Sequence, residues 1–192
     1  MDGTAALLEK SLLYGLLPVW LLAGFADYCC HRYQHIERSA GLKESLLHLL
    51  MIGELGIGLL CALLLEINAG VFLILLAACM SHELTVWWDL SYATSRRTIP
   101  VAEQWVHGLQ QAIPWVGLVA LALLHPQQIE ALLGSGTERP DWTFHLKPAP
   151  LPPGYLLAMA GAALLLVLLP FLAECRRCMR QPLRKGHRFK SG

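Results

Sequence analysis

Charge is scarce in this chain. Only 15% of its 192 residues are Asp, Glu, Lys or Arg, against 55% hydrophobic, and the mean hydropathy is +0.48. A water-soluble domain of that composition would have to hide more apolar side chain than its polar residues can cover, which excludes the soluble globular class and points to a bilayer. A basic stretch ahead of the first apolar run is also lacking. Asp2 and Glu9 stand there instead, so a retained span is expected rather than a cleaved signal. No internal repeat or low-complexity tract is present, and no second cysteine pair accompanies Cys175-x-x-Cys178. That spacing alone is a weak zinc signal, and reversible lipidation reads it equally well.

What is there is apolar length. Runs long enough to cross a membrane occupy about residues 6–28, 45–66, 69–90, 101–124 and 154–173, at roughly 20 residues per span. The expectation is an all-α, polytopic bundle of about five transmembrane helices. Residues 1–175 form one helical domain and 176–192 a basic tail.

The net charge of +1 conceals a strong segregation. Arg32, Arg38 and Lys43 follow the first span, and Arg96 and Arg97 the third. The stretch from Arg176 to Lys190 carries seven more of the fifteen basic residues, leaving Lys10, Arg139 and Lys147 for the other side. The positive-inside rule then sets the N-terminus outside and the C-terminus in the cytoplasm, with Trp87, Trp88 and Trp105 near the cytoplasmic interface. A bacterial inner membrane and an endoplasmic reticulum obey the same rule. Cys29, Cys30, Cys175 and Cys178 fall on the reducing side, so no structural disulfide is expected. Nothing points to a nucleic-acid partner.

Ionisable residues within or beside spans cost roughly 2.5–3.5 kcal/mol each at the bilayer centre and mark function by default. Here they come in helical steps. Asp27, His31 and His35 close the first span at intervals of four, which predicts one shared face. Glu44 and His48 open the second span. His82 and Asp89 lie two turns apart on the third, and Glu103 and His107 open the fourth. The topology derived from the basic residues gathers all of these at the cytoplasmic end. Carboxylates that bridge or chelate, completed by imidazoles, supply about the ligand count of a site for two metal ions; iron suits such ligands, with manganese or zinc possible. Glu37, Glu54 and Glu83 are further candidates as ligands or as acceptors for imidazole N–H groups. Gly53, Gly56 and Gly58 allow close helix approach, and Pro18 and Pro114 allow bending.

The pattern His31-Arg-Tyr-Gln-His35, with Glu44, His48, His82, Asp89 and His107, resembles the histidine-box membrane di-iron enzymes, the fatty-acid desaturases and hydroxylases. Carboxylates stand where that family has its H-x-x-H-H boxes. The resemblance implies O2-dependent oxidation of an apolar or lipid-like substrate entering from the bilayer. An electron-donor protein is then a partner, for which the basic tail offers a docking surface; the tail could equally hold the anionic leaflet. Two other readings stay open: a haem- or quinone-linked electron-transfer subunit, and a metal-handling or assembly protein.

Overall fold

The computed structural model describes residues 2–181, whose regular structure is entirely helical apart from one isolated backbone bridge. Five helices are long and apolar enough to cross a membrane, consistent with a multi-pass membrane protein. They are α1 (Gly3–Gln34), α2 (Leu42–Leu64), α3 (Ala69–Thr94), α4 (Val101–Leu124) and α6 (Pro153–Arg180). The short α5 (Pro126–Leu132) and the segment after it cover one end.

Local chemistry sets the boundaries. Asn68 accepts a hydrogen bond from the backbone N–H of Val71 at 3.0 Å and so caps α3. Pro100, Pro126 and Pro152 precede or begin α4, α5 and α6, where a missing N–H is harmless. Three prolines lie deeper, Pro18, Pro114 and Pro170, and the first and last are each preceded by a π-helical turn, at Leu12–Leu16 and Ala163–Leu168. Proline offers no N–H to the carbonyl four residues back and clashes with it, and the wider turn accommodates both defects.

α2 packs against α3 and α1 against α4, with α6 lying along α1. Hydrophobic association has little force in lipid, so close van der Waals contact has to hold the helices together. Gly24 of α1 admits Val167 of α6; a Cβ there would lie 3.0 Å from a Val167 methyl. Gly58 of α2 plays the same part against Ala78, at 3.3 Å. Gly53 and Gly56 do not, since a Cβ at either would meet nothing within 4 Å. The close approach expected at three glycines therefore occurs at one, because α3 passes only the Gly58 side of α2. Leu55, Ile67, Val71, Leu75, Cys79 and Leu118 form an apolar core among α2, α3 and α4.

The two ends differ in kind. At one, residues 141–147 cross the α2–α3 turn: Glu66 N–H donates to His145 O and Lys147 N–H to Leu64 O, both at 2.9 Å. Asn68 also donates to Thr143 O at 2.6 Å. At the other end α1, α3 and α6 finish while α2 and α4 begin. α6 continues to Arg180, beyond the expected domain boundary at 175, because Phe171, Glu174, Cys175 and Cys178 form a buried face one and two turns apart. The remainder of the basic tail lies outside the described residues.

Candidate metal centre

Each helix meeting at the second end brings its polar residues from a position that favours them. Glu44 and Glu103 occupy the first turns of α2 and α4, where the helix dipole stabilises a carboxylate. Asp27 and His31 lie on one face of the last turns of α1, Asp89 near the end of α3, and Glu174 near the end of α6. The side chains of Asp27, His31, Glu44, Asp89, Glu103 and Glu174 are at most 2% exposed. Five carboxyl groups are thus buried together.

Asp27 sits between the imidazoles. Its Oδ1 lies 3.0 Å from His107 Nε2 and 3.7 Å from His31 Nε2, and its Oδ2 lies 3.4 Å from His48 Nε2. His31 Nε2 also lies 3.5 Å from Glu103 Oε1 and 3.8 Å from Glu44 Oε1. Two groups of donor atoms, each within 4.8 Å of one another, result: Asp27, His31, His48 and His107, and a second of His31, Glu44 and Glu103.

The outer ring nitrogens assign the tautomers. His31 Nδ1 faces the Glu174 carboxylate at 3.2 Å and His48 Nδ1 faces the Glu44 carbonyl at 3.0 Å, so in both rings the N–H is on Nδ1. In the neutral rings Nε2 then presents a lone pair, and His31 Nε2 is buried without a hydrogen-bond partner among the described residues. Lone pairs of two imidazoles and oxygens of three carboxylates converge, which costs energy unless a cation or extra protons lie between them. An imidazole held from behind by a carboxylate or carbonyl is the arrangement found at metal-ligating histidines, and the donors fit a metal ion of the borderline or hard class. Phe171 closes the base, stacked on His48 at 5.3 Å and edge-on to His31 at 5.9 Å.

One cation of the chain is already there. Arg97, from the turn between α3 and α4, inserts its guanidinium between Glu44 and Glu103: Nη2 donates to both carboxylates, Nε to Glu44 Oε1 at 3.2 Å, and Nη1 to Gln34 Oε1 at 2.8 Å. Gln34 in turn donates to Glu103. Burial works against the charge of Arg97, yet its bonds to Glu103 and Glu44 outweigh burial and raise its pKa above the ordinary value.

Seven of the nine expected ligands meet at this end, six of them within the two groups. Asp89 is at the edge, 3.9 Å from His48 Nδ1, with Oδ1 unpaired. His82 stands apart, lining the cavity described below. His35 is elsewhere: α1 stops at Gln34, His35 turns left-handed at φ 53°, and its half-exposed side chain faces Glu37 at 3.3 Å instead of the face shared by Asp27 and His31. Of the further candidates, Glu54 accepts from Ser81 and Thr85, and Glu83 from Gln111 and Trp115. Glu174 and Arg97 escaped the sequence pattern; the only trace of the first is that it is the first ionisable residue of an otherwise apolar span.

Below the centre lies a cavity of about 670 Å³, with Asp27, His48, His82, Asp89, His107, Gln110 and Gln111 in its lining and apolar side chains over the rest. Comparison with family models, characterised proteins and solved structures finds no match to this chain.

Proposed function

We propose that this chain is an integral membrane oxidoreductase with a cytoplasm-facing centre for two metal ions, iron or manganese, acting with O2 on an apolar compound from the bilayer. The observation that carries this reading is the convergence of Asp27, His31, His48 and His107 at the head of an apolar cavity. Charge supports the number of ions. Among the described residues five buried carboxyl groups face one buried guanidinium, leaving four negative charges for protons or cations to balance, and two divalent ions would balance them. Asp27 would help to hold such ions, since its two oxygens face different imidazoles. A reduced metal ion with such ligands supplies O2 binding and activation.

The chain's own residues do the rest. Glu174 holds His31, and the Glu44 carbonyl holds His48, so the lone pairs point inward before any ion arrives. Arg97 keeps Glu44 and Glu103 turned toward His31 and offsets one charge. The largely apolar cavity excludes water and presents a chain to the centre. An electron-donor protein docks on the cytoplasmic side, where the basic residues gather.

A haem reading fits less well. His31 and His48 touch edge to face with ring centroids 4.4 Å apart, which leaves no room for a macrocycle between them. Metal analysis and a visible spectrum of the purified protein test the proposal. Two irons or manganese ions per chain without a Soret band are expected, and His48→Ala and His107→Ala should each remove metal while His145→Ala does not. A Soret band, or metal retained in both of the first two variants, overturns it.

A further inference from the structure

The cavity has features that metal binding does not use. α6 is fastened to α1 along its length, by Val167 against Gly24 and by the Tyr155 hydroxyl donating to Leu13 O at 2.7 Å. Against α2 it packs closely only over Leu169–Arg180 and draws away toward Pro153. The gap between α2 and α6 therefore widens away from the centre and opens sideways, toward the region lipid would occupy.

Gly53 and Gly56 lie on the α2 wall of this gap. Glycine inside a helix costs about 1 kcal/mol relative to alanine, and neither position admits a neighbouring helix, since a Cβ at either meets nothing within 4 Å. What they preserve is room.

At the polar end stands His82, only 6% exposed, with no hydrogen-bond partner among the described residues at either ring nitrogen. A buried polar group left unpaired costs about 1–3 kcal/mol, so the ring lacks a partner that a ligand can supply. The lining also limits that ligand's charge. Among the described residues Asp27 and Asp89 border the cavity and no lysine or arginine does, and two divalent ions would already be balanced by the buried carboxyl groups, so a carboxylate or phosphate head would bring an unbalanced charge into a buried site. A hydroxyl, donor and acceptor at once, suits an imidazole of either tautomer.

We propose that the cavity binds one long-chain aliphatic alcohol taken sideways from the bilayer, its tail between α2 and α6 and its hydroxyl on His82 beside the centre. This rests on the metal-centre reading, because that reading supplies the chemistry at the polar end.

The test uses full-length protein in phosphatidylcholine nanodiscs, with tritiated hexadecanol and tritiated palmitate as probes and metal content measured on the same samples. Saturable binding of one hexadecanol per chain is expected, with palmitate at least tenfold weaker. Gly56→Leu fills the tail space and His82→Phe removes the head contact; each should weaken hexadecanol at least tenfold with metal content unchanged. Gly108→Leu, at an open position away from the cavity, should bind as the unaltered protein does. No saturable hexadecanol binding, palmitate binding equal or tighter, or full binding in both Gly56→Leu and His82→Phe overturns the inference. Metal without hexadecanol in the unaltered protein sinks this inference alone, whereas absence of metal sinks the reading beneath it.

Discussion

His31 and Glu174 are 143 residues apart in sequence and 3.2 Å apart in space, both fully buried, with the imidazole Nδ1–H donated to the carboxylate. That bond turns the free Nε2 toward Asp27, Glu44 and Glu103. Removing the acceptor should loosen the ligand without deleting it. Glu174→Ala is expected to weaken metal binding by about 10–100-fold, as loss of a hydrogen-bond partner behind a metal-ligating histidine generally does, and Glu174→Gln by less, because the amide oxygen still accepts. Competition against a chelator of known affinity measures both. Equal affinity in Glu174→Ala and the unaltered protein would remove this role.

Arg97 gives a second prediction. Deleting one partner of a buried ion pair costs about 3–5 kcal/mol, so Arg97→Gln should lower the thermal midpoint of metal-free protein. Added metal should then raise the midpoint more in Arg97→Gln than in the unaltered chain, since the ion takes over the neutralisation of Glu44 and Glu103. An equal or smaller rise would show that Arg97 and the metal act independently. Because its pKa is raised, Arg97 stays charged throughout the usable pH range, so raising the pH cannot imitate the substitution.

His35 and His107 should separate cleanly, although both were expected ligands. His35 occupies a left-handed position with its side chain half in solvent, so His35→Gly should retain metal and gain up to about 1 kcal/mol of stability by relieving the backbone. His107→Ala should lose metal. Elemental analysis of the two purified variants reads the contrast, and metal loss in His35→Gly would place that residue back in the site.

The glycines divide by what faces them. Gly24→Leu pushes into Val167 and should cost about 1–3 kcal/mol, whereas Gly53→Ala meets open space and should gain up to about 1 kcal/mol. Thermal unfolding in one detergent compares them. Similar costs at both positions would contradict the packing of α6 on α1.

The spans were legible because membrane thickness demands long apolar runs, and the steps of four within them placed Asp27 beside His31, Glu44 beside His48 and Glu103 beside His107. What escaped was tertiary. His35 keeps the same spacing, but a left-handed turn begins there, and spacing cannot reveal where a helix stops. Arg97 carries a charge that topology alone explains, so nothing marked it as reaching inward. Glu174 has no partner within its own span, and its role exists only once α6 lies against α1. Gly53 and Gly56 look like Gly58 until the path of α3 shows which of them it passes.

The position of Glu174 on the final span bears on how the protein is made. Spans enter a membrane in order of synthesis, so Asp27, His31, Glu44, His48, Glu103 and His107 are all in place before the last helix emerges. Until then His31 lacks its anchor and Phe171 does not yet close the base. The centre therefore matures only after α6 inserts, and a chain stalled before Pro153 would leave those acids without the packing of Phe171.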